Sequence, residues 1–230
     1  MEIGLEARPR PASDRPMTTE LRGARRRLIE TLQEQGVRDL AVLRAFDEVP
    51  RHLFVPSGVA HRAYEDSALP IGSGQTVSQP SVHALSLQAL KLNGRGRVLE
   101  IGTGSAFQTA LLSRLAEQVF SVERVPALFD RARETLAQVG VRNVSLLLGD
   151  GTLGWREYSP YEGIVVGAAS PDVPPAYAEQ LTEGGRLVIP VGTRDEQTLV
   201  CFTRRGERLD REDLLPVRFV PLLGAQGWAG

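Results

Sequence analysis

The sequence predicts an α/β fold, with a mostly parallel central sheet, helices on both faces and an antiparallel C-terminal edge. Three observations predict it. From Val98 onward, short apolar runs of strand length alternate with segments of helical periodicity, the pattern of a parallel sheet covered on both faces. A glycine-rich turn, Gly102-Thr103-Gly104, follows the first of these runs directly. The last two apolar runs, 197–204 and 214–222, are separated only by a polar turn, and strands joined by a short turn pair antiparallel.

In chain order, residues 1–16 read as a flexible tail, because Pro9, Pro11 and Pro16 alternate with Arg8, Arg10 and Arg15 and nothing there fills a core. Thr18 or Thr19 can cap a first helix with Leu21, Leu28 and Leu32 on one side and Gly36 as its stop. Asp39 can cap a second, on which Leu40, Leu43 and Phe46 form a stripe ending before Pro50. Residues 51–79 hold Pro56, Pro70, Gly72 and Gly74 and show little periodicity, so irregular structure with short turns is expected. Its apolar residues (Leu53, Phe54, Val55, Tyr64, Leu69, Ile71) indicate that it is packed. Pro80 suits the first turn of a helix to about Leu92. Strands follow at Val98–Ile101, Val119–Glu123, Val144–Leu148, Ile164–Val166 and Arg186–Val191, with helices at Ala106–Leu115, Pro126–Val139 and Pro175–Leu181 between them. The turn Glu183-Gly184-Gly185 is expected before the fifth strand.

The chain has 230 residues, 42% hydrophobic and 24% charged, with 27 Lys and Arg against 28 Asp and Glu. That composition excludes disorder as the main state and sets aside a nucleic-acid binder that relies on a strong positive field. One domain is expected over 17–230, with a helical and loop region at 17–92 and the sheet from 93. The single cysteine, Cys201, forms no internal disulfide, and no Cys/His cluster has metal spacing. No apolar run approaches the ~20 residues of a membrane span, and the N-terminus lacks the apolar stretch of a signal peptide. A cytoplasmic protein without metal, membrane or nucleic-acid partner is therefore expected; a monomer is the expected state, which none of these features derives.

The chemistry concentrates around the glycine turn. Glycines after a first strand, at a helix start, let a ligand touch the backbone at the carboxyl ends of the strands. Phe107 stands where a dinucleotide fingerprint needs its third glycine, and no phosphate loop of the GxxxxGK[ST] kind exists. Glu123, roughly 20 residues on from Gly102, can accept hydrogen bonds from both ribose hydroxyls, or be a solvated charge at a strand end. Asp150, in Gly149-Asp150-Gly151, is a turn residue or an acceptor for an adenine amino group. Glu100 either orients the loop and meets an ammonium group or is a buried acid satisfied by donors. Ribose and adenine contacts without a phosphate cradle point to S-adenosyl-L-methionine, with S-adenosyl-L-homocysteine as product. Its methyl group is already electrophilic, so the protein mainly has to hold an acceptor in line. A carboxylate acceptor is ionised at neutral pH and needs no strong base.

The stretches RHLFVP (51–56), AYEDSALPIGSGQTVSQP (63–80), VLEIGTGSAFQTALL (98–112), SVER (121–124), GDGTLGW (149–155), GGRLVIPVG (184–192) and VRFVPLLG (217–224) resemble, in order and spacing, the protein-L-isoaspartate O-methyltransferase family. The glycine loop is common to many methyltransferases; the AYEDSALPIGSGQTVSQP segment is more specific, since it supplies the acceptor side. The resemblance implies methylation of the free α-carboxylate of isoaspartyl residues in damaged proteins and peptides, whose ester closes to a succinimide and returns some normal aspartate. It assigns the acceptor role to Ser78, whose hydroxyl would aim a carboxylate oxygen at the methyl group; read on its own, Ser78 is better explained as a helix cap. It assigns cofactor contacts to Thr76, Val77, Gln79, Gly102, Thr103, Gly104, Glu123, Asp150 and Gly151, with Glu100 beside them. His83 matches a cofactor-contacting histidine of eukaryotic members, or is merely packed. Val220, Pro221 and Leu222 would lie along the substrate main chain. Ala106-Phe107 departs from the Gly-Tyr common in the family. A methyltransferase acting on RNA or a maturing peptide, and a non-catalytic cofactor-binding module, are the competing readings.

Overall fold

A computed structural model describes residues 19–229. Seven strands form the main sheet: β3 (Arg97–Ile101), β4 (Gln118–Glu123), β5 (Val144–Leu148), β6 (Tyr161–Val166), β7 (Leu181–Gly192), β8 (Gln197–Arg205) and β9 (Arg208–Val217). Their order is β5-β4-β3-β6-β7-β8-β9; β5 to β7 are parallel, and β8 and β9 are antiparallel. The predicted class is thus the observed one. Strands β3, β4 and β5 spread to one side of the sheet and β6 and β7 to the other. The chain reverses its direction of growth between β3 and β6, and a crevice opens there at the carboxyl ends.

The strand residues explain the layers. Val98, Val119, Val165 and Val188 face a cluster formed with helices α1 (Thr19–Glu34), α2 (Leu40–Glu48), α3 (Pro80–Leu90), α4 (Phe107–Leu112) and α5 (Pro126–Gln138). Their neighbours Leu99, Phe120, Ile164 and Leu187 face a second cluster with α6 (Pro175–Gln180), Trp155 and Tyr158. Period-two alternation with both faces apolar is what a doubly covered sheet requires. Each fully buried Val, Leu or Ile contributes roughly 1.5–3 kcal/mol of transfer free energy.

Most elements start and stop where expected. Asp39 caps α2 by accepting from the N–H groups of Ala41 and Val42 at 2.8 and 3.2 Å, and Gly36, at φ 93°, ends the first helical segment. The expected tail and Thr18 lie outside the described residues. Five details differ. Leu40 is exposed, and the buried stripe of α2 is Val42, Leu43, Ala45 and Phe46. Within 51–79, two 3-10 turns, Arg51–Leu53 and Ser57–Arg62, lead into a hairpin of β1 (Leu69–Gly72) and β2 (Gln75–Val77). The Glu183–Gly185 turn is a bulge inside β7, where pairing with β6 jumps from Tyr161↔Leu181 to Gly163↔Arg186. The edge strand β9 begins at Arg208, because the two-residue turn Gly206-Glu207 sets Arg205 opposite Arg208. It carries Arg208, Asp210, Arg211, Glu212 and Asp213 outward. Residues 218–222, expected as strand, instead cross the carboxyl end of the sheet, where Pro221 bridges Ala169.

Candidate active site

The floor of the switch-point crevice is bare backbone. Gly102 follows β3 at φ 90°, a region that disfavours any side chain, and its N–H donates to Val122 O at 2.8 Å. Gly167 follows β6, its N–H on Ile101 O at 2.8 Å. A Cβ there would stand 3.3 Å from Ile101 O, and one at Gly151 would stand 2.6 Å from Ile101 Cγ2. The three glycines line a cleft at this switch point together with Val122, Glu123 and Leu222, the kind of concave, largely apolar site that takes a small molecule. Glu123, at the end of β4, is buried in its wall. One carboxylate oxygen accepts the Gly104 N–H at 2.8 Å and the other the Val125 N–H at 2.9 Å. Each oxygen keeps acceptor capacity for one ribose hydroxyl. Cleared backbone, one carboxylate with spare acceptors and no phosphate-binding loop fit a nucleoside without phosphates, as S-adenosylmethionine is.

A second groove adjoins this cleft. Thr76, Gly167 and Val220 wall both, and Ser78, Gln79 and Phe219 wall the groove alone. Ser78 sits half-buried between the hairpin and α3. It is not the cap of α3. Asp66 does that work, accepting the Ser81 N–H at 2.8 Å and the Gln79 side-chain amide at 2.9 Å. Arg51, fully buried, donates to Ser78 O at 3.2 Å and Ser67 O at 3.3 Å and lies 5.1 Å above the Phe107 ring. Burial pulls its pKa down to about 10, which leaves it protonated at neutral pH. Neither Arg51 nor Asp66 is visible as a positioning residue from spacing, since their partners are 27 and 15 positions away. On the opposite wall, Ala169 N–H donates to Val220 O at 2.8 Å and Leu222 N–H to Ala169 O at 2.7 Å. Those groups are therefore spent within the chain, and the Val220 N–H and Pro221 C=O are the ones that remain for a ligand.

Phe107 faces away from the cleft. Its ring meets Phe46, Phe54 and His83 edge-on at 5.7–5.9 Å, so the absence of a tyrosine hydroxyl removes nothing from the cleft wall. Ala106 adopts φ 65° at the start of α4, a conformation that costs an L-residue roughly 1–2 kcal/mol and explains why glycine is common there.

Glu100, His83 and Thr103 lie behind the glycine loop rather than in the cleft. Glu100 is completely buried and accepts from Thr109 Oγ1 at 2.5 Å, Ser121 Oγ at 2.6 Å and Gln108 Nε2 at 3.2 Å. Ser121 also meets Thr103 Oγ1 at 2.6 Å, and Gln108 Oε1 meets His83 Nδ1 at 2.6 Å. The result is one chain from α3 through α4 to the loop, which holds Thr103 in place. Val77, the last residue of β2, is likewise buried.

Burial pushes the Glu100 carboxyl up to about 7, its hydrogen bonds only partly offsetting that, and pushes His83 down to about 4. The two work against each other. Between about pH 4.5 and 7 the unfolded chain gives up the Glu100 proton while the native state keeps it, so this group lowers stability as pH rises. Between about pH 4 and 6.5 the unfolded chain protonates His83 while the native state does not, so that group raises stability with pH. Glu100→Gln is expected to gain stability relative to the wild type as pH climbs from 4.5 to 7. Urea unfolding at both pH values checks this; a difference independent of pH would mean that Glu100 is ionised in the fold.

Asp150 does the turn work. One oxygen accepts the Thr152 N–H and hydroxyl at 2.9 and 2.7 Å, and the other accepts the Ala225 N–H at 2.8 Å. Burial opposes its charge, but these bonds and Arg124 outweigh it and hold the pKa below the usual carboxylate range. Its Ala225-bound oxygen keeps one acceptor position. Gly151 beside it lines the cleft. Among the described residues no His/Cys/Asp/Glu cluster could hold a metal, and no helix is long and apolar enough to cross a membrane.

A switch-point crevice of bare backbone with one carboxylate in its wall, and a second groove alongside, fits the class of S-adenosylmethionine-dependent methyltransferases. The family model described as protein-L-isoaspartate(D-aspartate) O-methyltransferase matches residues 23–227, and the chain belongs to that family. A protein-L-isoaspartate O-methyltransferase from Dictyoglomus thermophilum is 49% identical over 211 residues, 92% of this chain and 96% of its own. One from Syntrophotalea carbinolica is 52% identical over 207 residues, 89% of this chain and 95% of its own. A solved protein-L-isoaspartate O-methyltransferase, 33% identical, superposes with a TM-score of 0.80 over 88% of this chain and 67% of its own. A Plasmodium falciparum structure described as a putative member in complex with S-adenosyl-L-homocysteine shares the fold at a TM-score of 0.75 and 24% identity, over 86% of this chain and 98% of its own.

Proposed function

We infer that the protein methylates the α-carboxylate of L-isoaspartyl residues in damaged proteins and peptides, and that its two adjoining cavities divide the work. S-adenosylmethionine, when bound, supplies a methyl group made electrophilic by its sulfonium. Glu123 and the backbone at Gly102, Gly104 and Gly151 hold the nucleoside, with the Asp150 carboxylate at the rim beside Gly151. Thr76, Val77 and Gln79 form the segment between the cavities, and Glu100, Thr103 and His83 support the loop from behind. Ser78 donates to one oxygen of the acceptor carboxylate and leaves the other free to attack. That is orientation and not base catalysis, since the acceptor arrives ionised. The Val220 N–H and Pro221 C=O receive the peptide main chain.

The observation that carries this reading is the wall shared by cleft and groove at Thr76, Gly167 and Val220, which lets donor and acceptor meet without either entering the other's space. Both the part before residue 93 and the part after it wall these cavities, which supports 17–230 as one domain; a monomer is the oligomeric state proposed. No helix of the described residues is long and apolar enough to cross a membrane, and the cytoplasm is the compartment proposed. Radiolabelled methyl transfer to an isoaspartyl peptide, with its aspartyl twin as control, tests the activity: base-labile label should enter the first peptide only. Label in RNA would select the other methyltransferase reading, and cofactor binding without transfer the non-catalytic one.

A further inference from the structure

We propose that Arg218 selects acceptor peptides carrying a second carboxylate next to the isoaspartyl residue. The proposal rests on reading the Ser78 groove as the acceptor site and deepens it. Among the described residues that wall the groove, Arg218 has the one ionised side chain; the rest are apolar or neutral, such as Gln35, Ser81, Leu215 and Phe219. The nearest acid along the chain from Ser78 is Asp66, and both its oxygens are engaged at the start of α3. None of the ion pairs among the described residues includes Arg218.

The groove therefore has a net positive charge of one, held by a group whose planar guanidinium binds carboxylates in a fork. Its position separates it from the reacting carboxylate. That carboxylate must reach the wall shared with the cofactor cleft, whereas Arg218 is exposed at the outer side and is absent from the cleft lining. A rim charge of this kind acts on the residues flanking the reacting one. It speeds encounter with acidic partners and weakens with salt.

The test uses the full chain and three isoaspartyl peptides that differ only in having Glu, Gln or Lys on both sides of the isoaspartyl residue. For the wild type at low ionic strength, KM should rise from Glu to Gln to Lys, by about two- to fivefold per step, the size of an exposed ion pair. In Arg218→Gln the span should collapse, in Arg218→Glu the order should reverse, and in the wild type 0.5 M sodium chloride should flatten the series. A wild-type series with no order, or one that persists unchanged in both variants, overturns the role of Arg218 while leaving the acceptor reading standing. Failure of all three peptides to accept label overturns the acceptor reading itself, and the proposal with it.

Discussion

Ser78→Ala is expected to slow methyl transfer to an isoaspartyl peptide by roughly 10- to 100-fold, the cost of losing alignment between two reacting groups, with S-adenosylmethionine affinity unchanged. The reason lies in what anchors the segment. Arg51 holds the Ser78 carbonyl and Asp66 holds the neighbouring turn, so the backbone stays in place when the hydroxyl goes. Only the donor to the acceptor carboxylate is lost. Single-turnover rates and calorimetric titration with the cofactor, measured on one preparation, check this. If affinity for the cofactor falls by the same factor as the rate, the hydroxyl serves the cofactor cleft and the proposed division of roles is wrong.

Glu123→Ala is expected to act the other way, weakening cofactor binding by ~1–3 kcal/mol, roughly 5- to 150-fold, through lost charged hydrogen bonds. Turnover at saturating cofactor should change far less. The carboxylate also ties the Gly104 and Val125 N–H groups, so the alanine variant should melt at a lower temperature as well. Glu123→Gln separates the two effects. Its carbonyl oxygen can still accept the Gly104 N–H, so stability should largely return while binding remains weaker than in the wild type. Unchanged affinity in the alanine variant would remove Glu123 from the site.

The sheet was legible because its information is local. Val98 to Ile101 and Val119 to Glu123 are apolar runs bounded by turn residues, and their alternation needs no distant partner. The glycine loop and Glu123 were legible for the same reason, since both follow directly from strands that the pattern already defines. The β1–β2 hairpin was not. Pro70, Gly72 and Gly74 read as breakers, and seven residues of strand split between two short arms leave no periodicity to detect. The roles of Arg51 and Asp66 depend on contacts that only the closed fold creates. Glu100 and His83 belong to a third case. Both were singled out, yet residue type alone cannot say on which side of a loop a polar group is buried. The alternation held the answer for Glu100: counted from Val98 it shares the face packed against α4, away from the cleft.

The charged margin of β9 bears on the company such a protein keeps. A main-chain edge left open invites other extended chains to add themselves as further strands. Arg208, Asp210, Arg211, Glu212 and Asp213 along that strand, three of them tied in the ion pairs Arg205–Asp210 and Arg211–Asp213, would have to shed water before a foreign strand could dock. Strand addition at this margin therefore costs the desolvation of several charges, and β9 makes a poor template for another extended chain.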